Sequence, residues 1–120
     1  MKRLLPAVIA LSLFQTGFTQ INNPKYRPKV DALLKQMTLD EKIGQMTQVA
    51  LAVIAKGGGG NEDGALDPDA LKKAVLDYKV GSILNTTVHA FSMTTWRQIQ
   101  TAIQDEAMKS RLKIPLLYGL

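Results

Sequence analysis

The spacing of apolar residues constrains the fold of this sequence more than any other feature. Stripes at i, i+3, i+4 and i+7, which predict amphipathic helices, alternate with short runs that are continuously apolar. The runs at 80–84 and 114–120 are short enough to be buried strands. Strands that are apolar on both faces are typical of a parallel sheet covered by helices, so the sequence predicts an α/β fold.

Capping residues precede three of the predicted helices and fix where each one starts. The caps are Thr38 with Glu41 three residues later, Asp67 with Pro68 at the first helical position, and either Ser92 or Thr94. The four apolar stripes are Val30, Leu33, Leu34 and Met37; Leu39, Ile43, Met46 and Ala50; Leu71, Ala74, Val75 and Tyr78; and Trp96, Ile99, Ala102, Ile103 and Ala107. The apolar run at 49–54 fits either the end of the second helix or a buried strand.

Polar residues on the longest helix complete its amphipathic pattern. Arg97, Gln98, Gln104 and Asp105 fall on the face opposite the stripe, so we expect them to point to solvent. Lys109 and Arg111 are predicted in the last turn, where a cation interacts favourably with the negative end of the helix dipole.

Residues 1–19 have the layout of a secretory signal. Lys2 and Arg3 form a basic start, and the apolar run at 4–14 is followed by small residues that allow cleavage before Gln20. The run is well short of the roughly 20 residues that a membrane-spanning helix needs. We therefore expect export without a lasting membrane anchor, followed by an extended lead-in at 20–29 and a folded domain at 30–120.

Composition excludes several classes of protein. The 120 residues include no cysteine and one histidine, His89, which excludes disulfide scaffolds, thiol chemistry and a histidine metal cluster. The net charge of +5 comes from scattered lysines and arginines, whereas a nucleic-acid footprint would cluster them. The glycine-rich segment at 56–64 is predicted to be a flexible loop; the acidic Glu62 and Asp63 beside its glycines argue against phosphate binding. We expect no cofactor and no metal.

Three segments resemble glycoside hydrolase family 3 enzymes of the β-glucosidase and exo-β-glucanase type. They are VDALLKQMTLDEKIGQMTQ at 30–48, VGSILN at 80–85 and TWRQIQTAIQDEAMKSRLKIPLLYG at 95–119, in register and in order. Members of that family have an export signal, an N-terminal (β/α)8 TIM-type barrel and a following α/β sandwich domain. The resemblance implies that this chain holds the signal and the first barrel elements, and that the barrel is incomplete because a closed one needs about 250 residues.

The resemblance also implies where the chemistry lies. In the family, a D-x-x-H-G segment comes directly after the IPLLYG strand, and its aspartate binds sugar hydroxyls; that aspartate would come after Leu120. The nucleophilic aspartate and the acid/base glutamate lie further along the family's sequence. We therefore expect no catalytic, substrate-binding or metal-binding residue in this chain, and a β-linked oligosaccharide or glucoside as the substrate of the full-length protein. A retaining glycosidase needs two converging carboxyl groups, so the fragment alone is expected to be inactive.

Several residues in the chain suggest a site but have simpler interpretations. Asp40 with Glu41, and Asp105 with Glu106, are adjacent on helices and point about 100° apart, so capping and solvated faces are favoured over acid/base pairs. His89 in a polar loop is expected to be exposed, and Trp96 on the helical stripe is expected to pack against the sheet. The face on which Tyr118 lies, towards the barrel interior or towards the helices, depends on strand register and stays open at this stage.

A second functional hypothesis differs in class. The chain would then be a small exported protein, binding or structural and not catalytic, that shares only the opening segment of the family. Continuation of the reading frame into Asp and, three residues later, His-Gly would favour the enzyme; a stop codon after Leu120 would favour the small protein. We also expect an isolated partial barrel to be poorly stable, because open sheet edges and unpaired helix stripes would expose apolar surface.

Overall fold

Helices and short strands alternate along the chain, as the apolar spacing predicts. The computed structural model describes residues 23–59, 64–84 and 90–119. The helices are α1 (Arg27–Gln36), α2 (Leu39–Gln45), α3 (Pro68–Lys72) and α4 (Met93–Ala107). The strands are β1 (Gln48–Ala50), β2 (Ser82–Leu84) and β3 (Leu117–Gly119), and short 3₁₀ turns lie at Leu51–Val53 and Lys56–Gly59.

The three strands form a parallel sheet in the order β1-β2-β3. Val49 pairs with Ile83 and Ile83 with Tyr118, so these three residues form one row across the sheet. The α/β class with a parallel sheet is therefore confirmed. The apolar run at 49–54 fitted either the end of the second helix or a buried strand. It forms the end of β1 and then a 3₁₀ turn.

The hydrophobic core lies between one face of the sheet and the helices that come after β1 and β2. Ile83, with no exposed surface, is at its centre. The core contains the predicted stripe residues of two helices, Leu71, Ala74 and Val75 from the α3 region and Ile99, Ile103 and Ala107 from α4. Val49 and Tyr118 pack against its edge. The helical periodicity therefore identified most of the residues that cover the sheet.

Each predicted helix start has the expected cap. The Thr38 hydroxyl accepts a hydrogen bond from the Glu41 backbone at 3.2 Å, and the Glu41 carboxylate accepts one from the Thr38 backbone at 2.8 Å, which completes the capping box. Asp67 caps α3 through the backbone N–H groups of Asp69 and Ala70. Ser92, and not Thr94, caps α4.

Tyr78 is not part of the α3 stripe, which corrects the prediction. After Lys72 the helix widens into a π-helical turn at Lys73–Asp77, and the Tyr78 backbone N–H bonds to the carbonyl of Lys73, five residues earlier. The wider turn has more residues per revolution than an α-helix, so Tyr78 rotates away from Leu71. Its side chain is 63% exposed.

The predicted inner stripe of α2 is also wrong. Leu39, Ile43 and Met46 are all exposed, Met46 by 87%, whereas Glu41 and Gly44 are the buried residues of this helix. Gly44 faces the backbone carbonyls of Tyr78 and Lys79 so closely that a Cβ on Gly44 would lie 2.5 Å from both oxygens. Gly81 donates its backbone N–H to the Gly44 carbonyl at 2.9 Å. This close backbone approach, and not an apolar stripe, attaches α2 to the entrance of β2.

The N-terminal boundary differs from the predicted lead-in at 20–29. The helix α1 begins at Arg27 and includes Pro28. Proline is tolerated there because the N–H groups of the first helical turn have no partner within the helix. Contacts divide the chain into two units, 1–33 and 34–120. In the first, Arg27 forms an exposed ion pair with Asp31 at 3.1 Å, and Val30 is 48% exposed.

Gly44→Ala is expected to loosen α2 from β2. The added methyl group would overlap backbone atoms, which cannot rotate away, and overpacking of this kind costs about 1–3 kcal/mol, more than the roughly 1 kcal/mol that alanine gains in helix propensity. Hydrogen exchange of the full-length gene product is expected to speed up in residues 42–47 and 79–83. Lys42→Ala, an exposed change on the same helix, is the control; equal exchange in the two variants would contradict the packing account.

Candidate functional site

Parallel α/β folds bind ligands at the carboxyl ends of their strands. The last register row consists of Ala50, Leu84 and Gly119. These residues supply aliphatic groups and backbone but no acid, base or nucleophile. The last register row of the described strands therefore provides no reactive side chain.

The sheet face opposite the core is the second surface that a ligand could reach. Strand alternation places Gln48, Ser82 and Leu117 there in one register row. Gln48 and Leu117 are exposed and Ser82 is half-buried. Ser82 lies in a row without histidine or carboxylate, so this row has hydrogen-bonding groups but not the base that an activated serine needs.

A paired acid and base lie near the amino ends of the strands. A cleft of about 530 Å³ lies between the start of α2 and the segment that leads from α4 into β3. Met37, Val75, Leu112 and Ile114 contribute apolar walls, and Glu41 and Arg111 lie on its rim side by side. In parallel α/β barrels, residues at this end of the strands usually contribute to stability and not to catalysis.

Glu41 and Arg111 form a two-point ion pair. The Arg111 Nη2 donates to Glu41 Oε2 at 2.6 Å and Nε donates to Oε1 at 3.0 Å. Nη2 also donates to the Gln36 backbone carbonyl at 2.8 Å. Arg111 was predicted in the last turn of α4, but that helix ends at Ala107, so Arg111 instead binds across to α2. Lys109 also lies past the end of the helix and pairs with Glu106 at 2.6 Å.

The environment of Glu41 suits a structural anion and not a catalytic acid. The hydrogen bond from Arg111, followed by that from the Thr38 backbone, lowers the pKa of Glu41 from 4.5 to about 2. A general acid at neutral pH needs a pKa shifted in the opposite direction. Asp40 beside it is exposed. The capping interpretation of Glu41 is confirmed, although its carboxylate is buried against Arg111 and does not lie on a solvated face.

The aromatic candidates pack together instead of lining an open site. Trp96 makes edge-to-face contacts with Phe91 and Tyr118, with ring centroids 5.5 Å apart in both pairs. The packing interpretation of Trp96 is therefore confirmed. Tyr118 shares the register row of the buried Ile83, so it lies on the helix-covered face, and burial raises the pKa of its hydroxyl. Strand register, which the sequence left open, decides this orientation.

The remaining candidates add no site. Asp105 is exposed on α4, and Glu106 pairs with Lys109. Between residues 23 and 119, in the described segments, no three acidic or histidine side chains converge as metal ligands, and no helix is long and apolar enough to cross a membrane. His89, the predicted signal at 1–19 and part of the glycine-rich loop lie outside the described residues.

Comparison with known proteins identifies the class. The model of the glycosyl hydrolase family 3 N-terminal domain matches residues 38–120, from the cap of α2 to the last strand. This region contains the parallel sheet and the helices that cover it. The chain therefore belongs to glycosyl hydrolase family 3, and the resemblance predicted from the sequence is confirmed.

Two relatives agree with this assignment. A periplasmic β-glucosidase from Salmonella typhimurium is 37% identical over 92 residues, which cover 75% of this chain and 9% of the relative. A lysosomal β-glucosidase from Dictyostelium discoideum is 30% identical over 100 residues, which cover 76% of this chain and 12% of the relative. The chain thus spans about a tenth of the length of these relatives.

The Glu41–Arg111 pair predicts a defined acid sensitivity. The folded-state pKa of Glu41 is depressed, so its contribution to stability is complete above pH 4.5 and is lost as the pH falls towards 2. The difference in unfolding temperature between the full-length gene product and its Glu41→Gln variant is expected to be constant above about pH 5 and to shrink below it.

The control for this measurement is Asp105→Asn, which removes an exposed carboxylate from α4. Its unfolding temperature is expected to match that of the unchanged protein through the same range. A Glu41→Gln difference that stays constant down to pH 2, or that grows on acidification, would contradict the ion-pair account.

Proposed function

We propose that this chain is the N-terminal part of a secreted retaining β-glycosidase that hydrolyses terminal β-D-glucosyl residues from oligosaccharides or glucosides. The observation that supports this most directly is the family 3 match over residues 38–120, together with two relatives that are named β-glucosidases. The small share of each relative that is covered supports a gene product much longer than this chain. The activity belongs to that longer protein.

The three strands are the opening strands of a (β/α)8 barrel in this proposal. Their consecutive parallel order, with helices between them, supports it, because the barrel repeats this unit eight times. Gln48, Ser82 and Leu117 would then face the barrel interior. A groove of about 680 Å³ beside β1, lined by Ile43, Val49, Val53 and Tyr78, supports continued packing at this edge of the sheet.

The reaction would require residues beyond Leu120. A retaining mechanism uses one carboxylate to attack the anomeric carbon and a second carboxyl group to protonate the leaving oxygen, with about 5–5.5 Å between them. Glu41 is held as an anion at the opposite edge of the sheet, and the last strand row offers no carboxylate. We therefore assign no catalytic residue to this chain and place sugar binding in the segment that comes after β3. The mechanism requires no cofactor.

Hydrolysis by the full-length gene product tests this function. We expect it to release the aglycone from an aryl β-D-glucoside and not from the α-anomer, and the glucose first formed is expected to be the β-anomer by NMR. The first formation of α-glucose would contradict retention. Failure to hydrolyse any β-glycoside would contradict the enzymatic function and favour the non-catalytic exported protein.

A matched variant separates chemistry from folding in the same assay. Asp40→Asn removes the exposed carboxylate next to Glu41 and is expected to leave kcat unchanged, because no reacting group is assigned to this edge of the sheet. A loss of kcat by orders of magnitude, with an unchanged unfolding temperature, would show that the amino edge takes part in the reaction.

Export is a separate prediction that rests on residues 1–19. When the full-length gene is expressed in a bacterium, the exported protein is expected to begin at Gln20. Leu11→Arg places a charge in the apolar run and is expected to retain the uncleaved protein in the cytoplasm, whereas Leu11→Val is expected to be exported normally. Equal export of both variants would contradict the signal assignment.

A further inference from the structure

Gln104 binds both backbone polar groups of Leu116, the residue immediately before β3. Its Nε2 donates to the Leu116 carbonyl at 2.8 Å, and its Oε1 accepts from the Leu116 N–H at 3.2 Å. The helical pattern predicted Gln104 to point to solvent, but the side chain is half-buried and lies against the chain entering the sheet. The prediction was wrong because periodicity records the burial of apolar groups and not contacts of a polar side chain with a distant backbone.

The position of Leu116 explains why its backbone needs this partner. Leu116 is only 6% exposed, and a buried N–H or carbonyl without a partner costs stability. The next residue, Leu117, donates its N–H to the Gly81 carbonyl at 3.0 Å, so it is directed towards β2. Consecutive residues of a strand direct their backbone groups to opposite edges, which leaves those of Leu116 pointing away from β2.

A glutamine side chain is a good substitute for a neighbouring strand at this point. Its amide has the same N–H and C=O groups as a peptide bond, so it pairs with one residue of backbone in both directions. The backbone that carries Gln104 is also held in place, because its neighbour on α4, Ile103, is 1% exposed and packs in the core. The two hydrogen bonds between Gln104 and Leu116 therefore fix the position of Leu116 along the strand direction, just before the chain enters β3.

Pro115 makes this contact specific for one register. A shift of the chain by one residue in one direction would place Pro115 opposite Gln104, and proline has no N–H to donate to Oε1. A shift in the other direction would place Leu117 opposite Gln104 and break its hydrogen bond to the Gly81 carbonyl. Either shift would also exchange the two faces of β3 and move Tyr118 out of its contact with Trp96.

We propose that Gln104 is a positioning residue for the sugar-binding segment that comes after β3. It sets the register of β3 against β2, and this register determines where the carboxyl end of β3 delivers the next residues of the chain. The inference rests on the proposed function, since it assumes that the segment after β3 binds the sugar. Gln104 itself lies before the amino end of β3 and touches no substrate.

Three variants of the full-length gene product test this role. Gln104→Ala removes both hydrogen bonds, and Gln104→Glu keeps the shape and the acceptor but loses the donor at neutral pH. Gln98→Ala is the matched control, because Gln98 is an exposed glutamine on the same helix. We expect Gln104→Ala to lower kcat/KM for an aryl β-D-glucoside roughly 10- to 100-fold, with most of the change in KM, as expected for misplaced binding groups. Gln98→Ala is expected to change neither constant.

The pH dependence of Gln104→Glu distinguishes this bond from a general loss of stability. At neutral pH the introduced carboxylate faces the Leu116 carbonyl without a proton to donate, so kcat/KM is expected to be reduced. The ordinary pKa of a glutamate carboxyl is about 4.3, so protonation restores a donor as the pH approaches 4, and the ratio of variant to unchanged enzyme is expected to rise as the pH falls from 7 to 4. Both proteins share the titration of the charged residues near Gln104 in the sequence, so the ratio largely removes it; these residues are Asp105, Glu106, Arg111 and Lys113.

Hydrogen exchange gives a readout that does not depend on activity. The amides of residues 116–119 are expected to exchange faster in Gln104→Ala than in Gln98→Ala. Equal exchange in both variants would overturn the register role, whether or not the enzyme hydrolyses glucosides. Faster exchange with unchanged kcat/KM would overturn the positioning role while leaving the proposed function intact. An unchanged full-length protein that hydrolyses no β-glycoside would overturn the proposed function and the link to sugar binding, and exchange alone would then decide the register role.

Discussion

The ion pair between Glu41 and Arg111 joins parts of the chain that are 70 residues apart. The apolar side chains of α2 are exposed, so this helix is attached mainly by polar and backbone contacts. Glu41 completes the cap of α2 and binds Arg111 with the same carboxylate, and Arg111 also holds the end of α1 through the Gln36 carbonyl. Although Arg111 is 56% exposed and therefore partly screened by water, the two-point geometry orients the segment that enters β3.

This arrangement separates the two ends of the sheet by role. Glu41, Arg111 and the Gly44–Gly81 contact lie where the strands begin, and they hold together the segments that enter β1, β2 and β3. The strands end in Ala50, Leu84 and Gly119, small or aliphatic residues that leave space for the loops at this edge. A parallel α/β sheet is suited to this division, because its loops at the carboxyl end vary without disturbing the packing at the other.

Local signals in the sequence predicted local structure well. Capping residues such as Thr38 and Asp67, and the stripe of α4, depend on neighbours three or four positions away, so the sequence alone determines them. The α2 stripe failed because Gly44, and not the apolar residues, makes the close contact. The Tyr78 prediction failed because a single π-helical turn changes the period.

Contacts between residues that are distant in the sequence do not follow from local patterns. Arg111 and Gln104 were assigned to a helix end and to solvent because their partners, Glu41 and the Leu116 backbone, are set by the tertiary fold. The face of Tyr118 depended on pairing with Ile83, which a single strand pattern does not reveal. The family resemblance provided information that local patterns did not, since it predicted membership of glycosyl hydrolase family 3, which the match over residues 38–120 confirms.

A crystal structure of the full-length gene product with glucose bound is the most direct test of this account. It is expected to show the sugar at the carboxyl ends of β1, β2 and β3, held by residues that come after Leu120, with Glu41 and Arg111 paired at the opposite edge. A sugar bound in the cleft at the amino ends, in contact with Glu41 or Arg111, would contradict it.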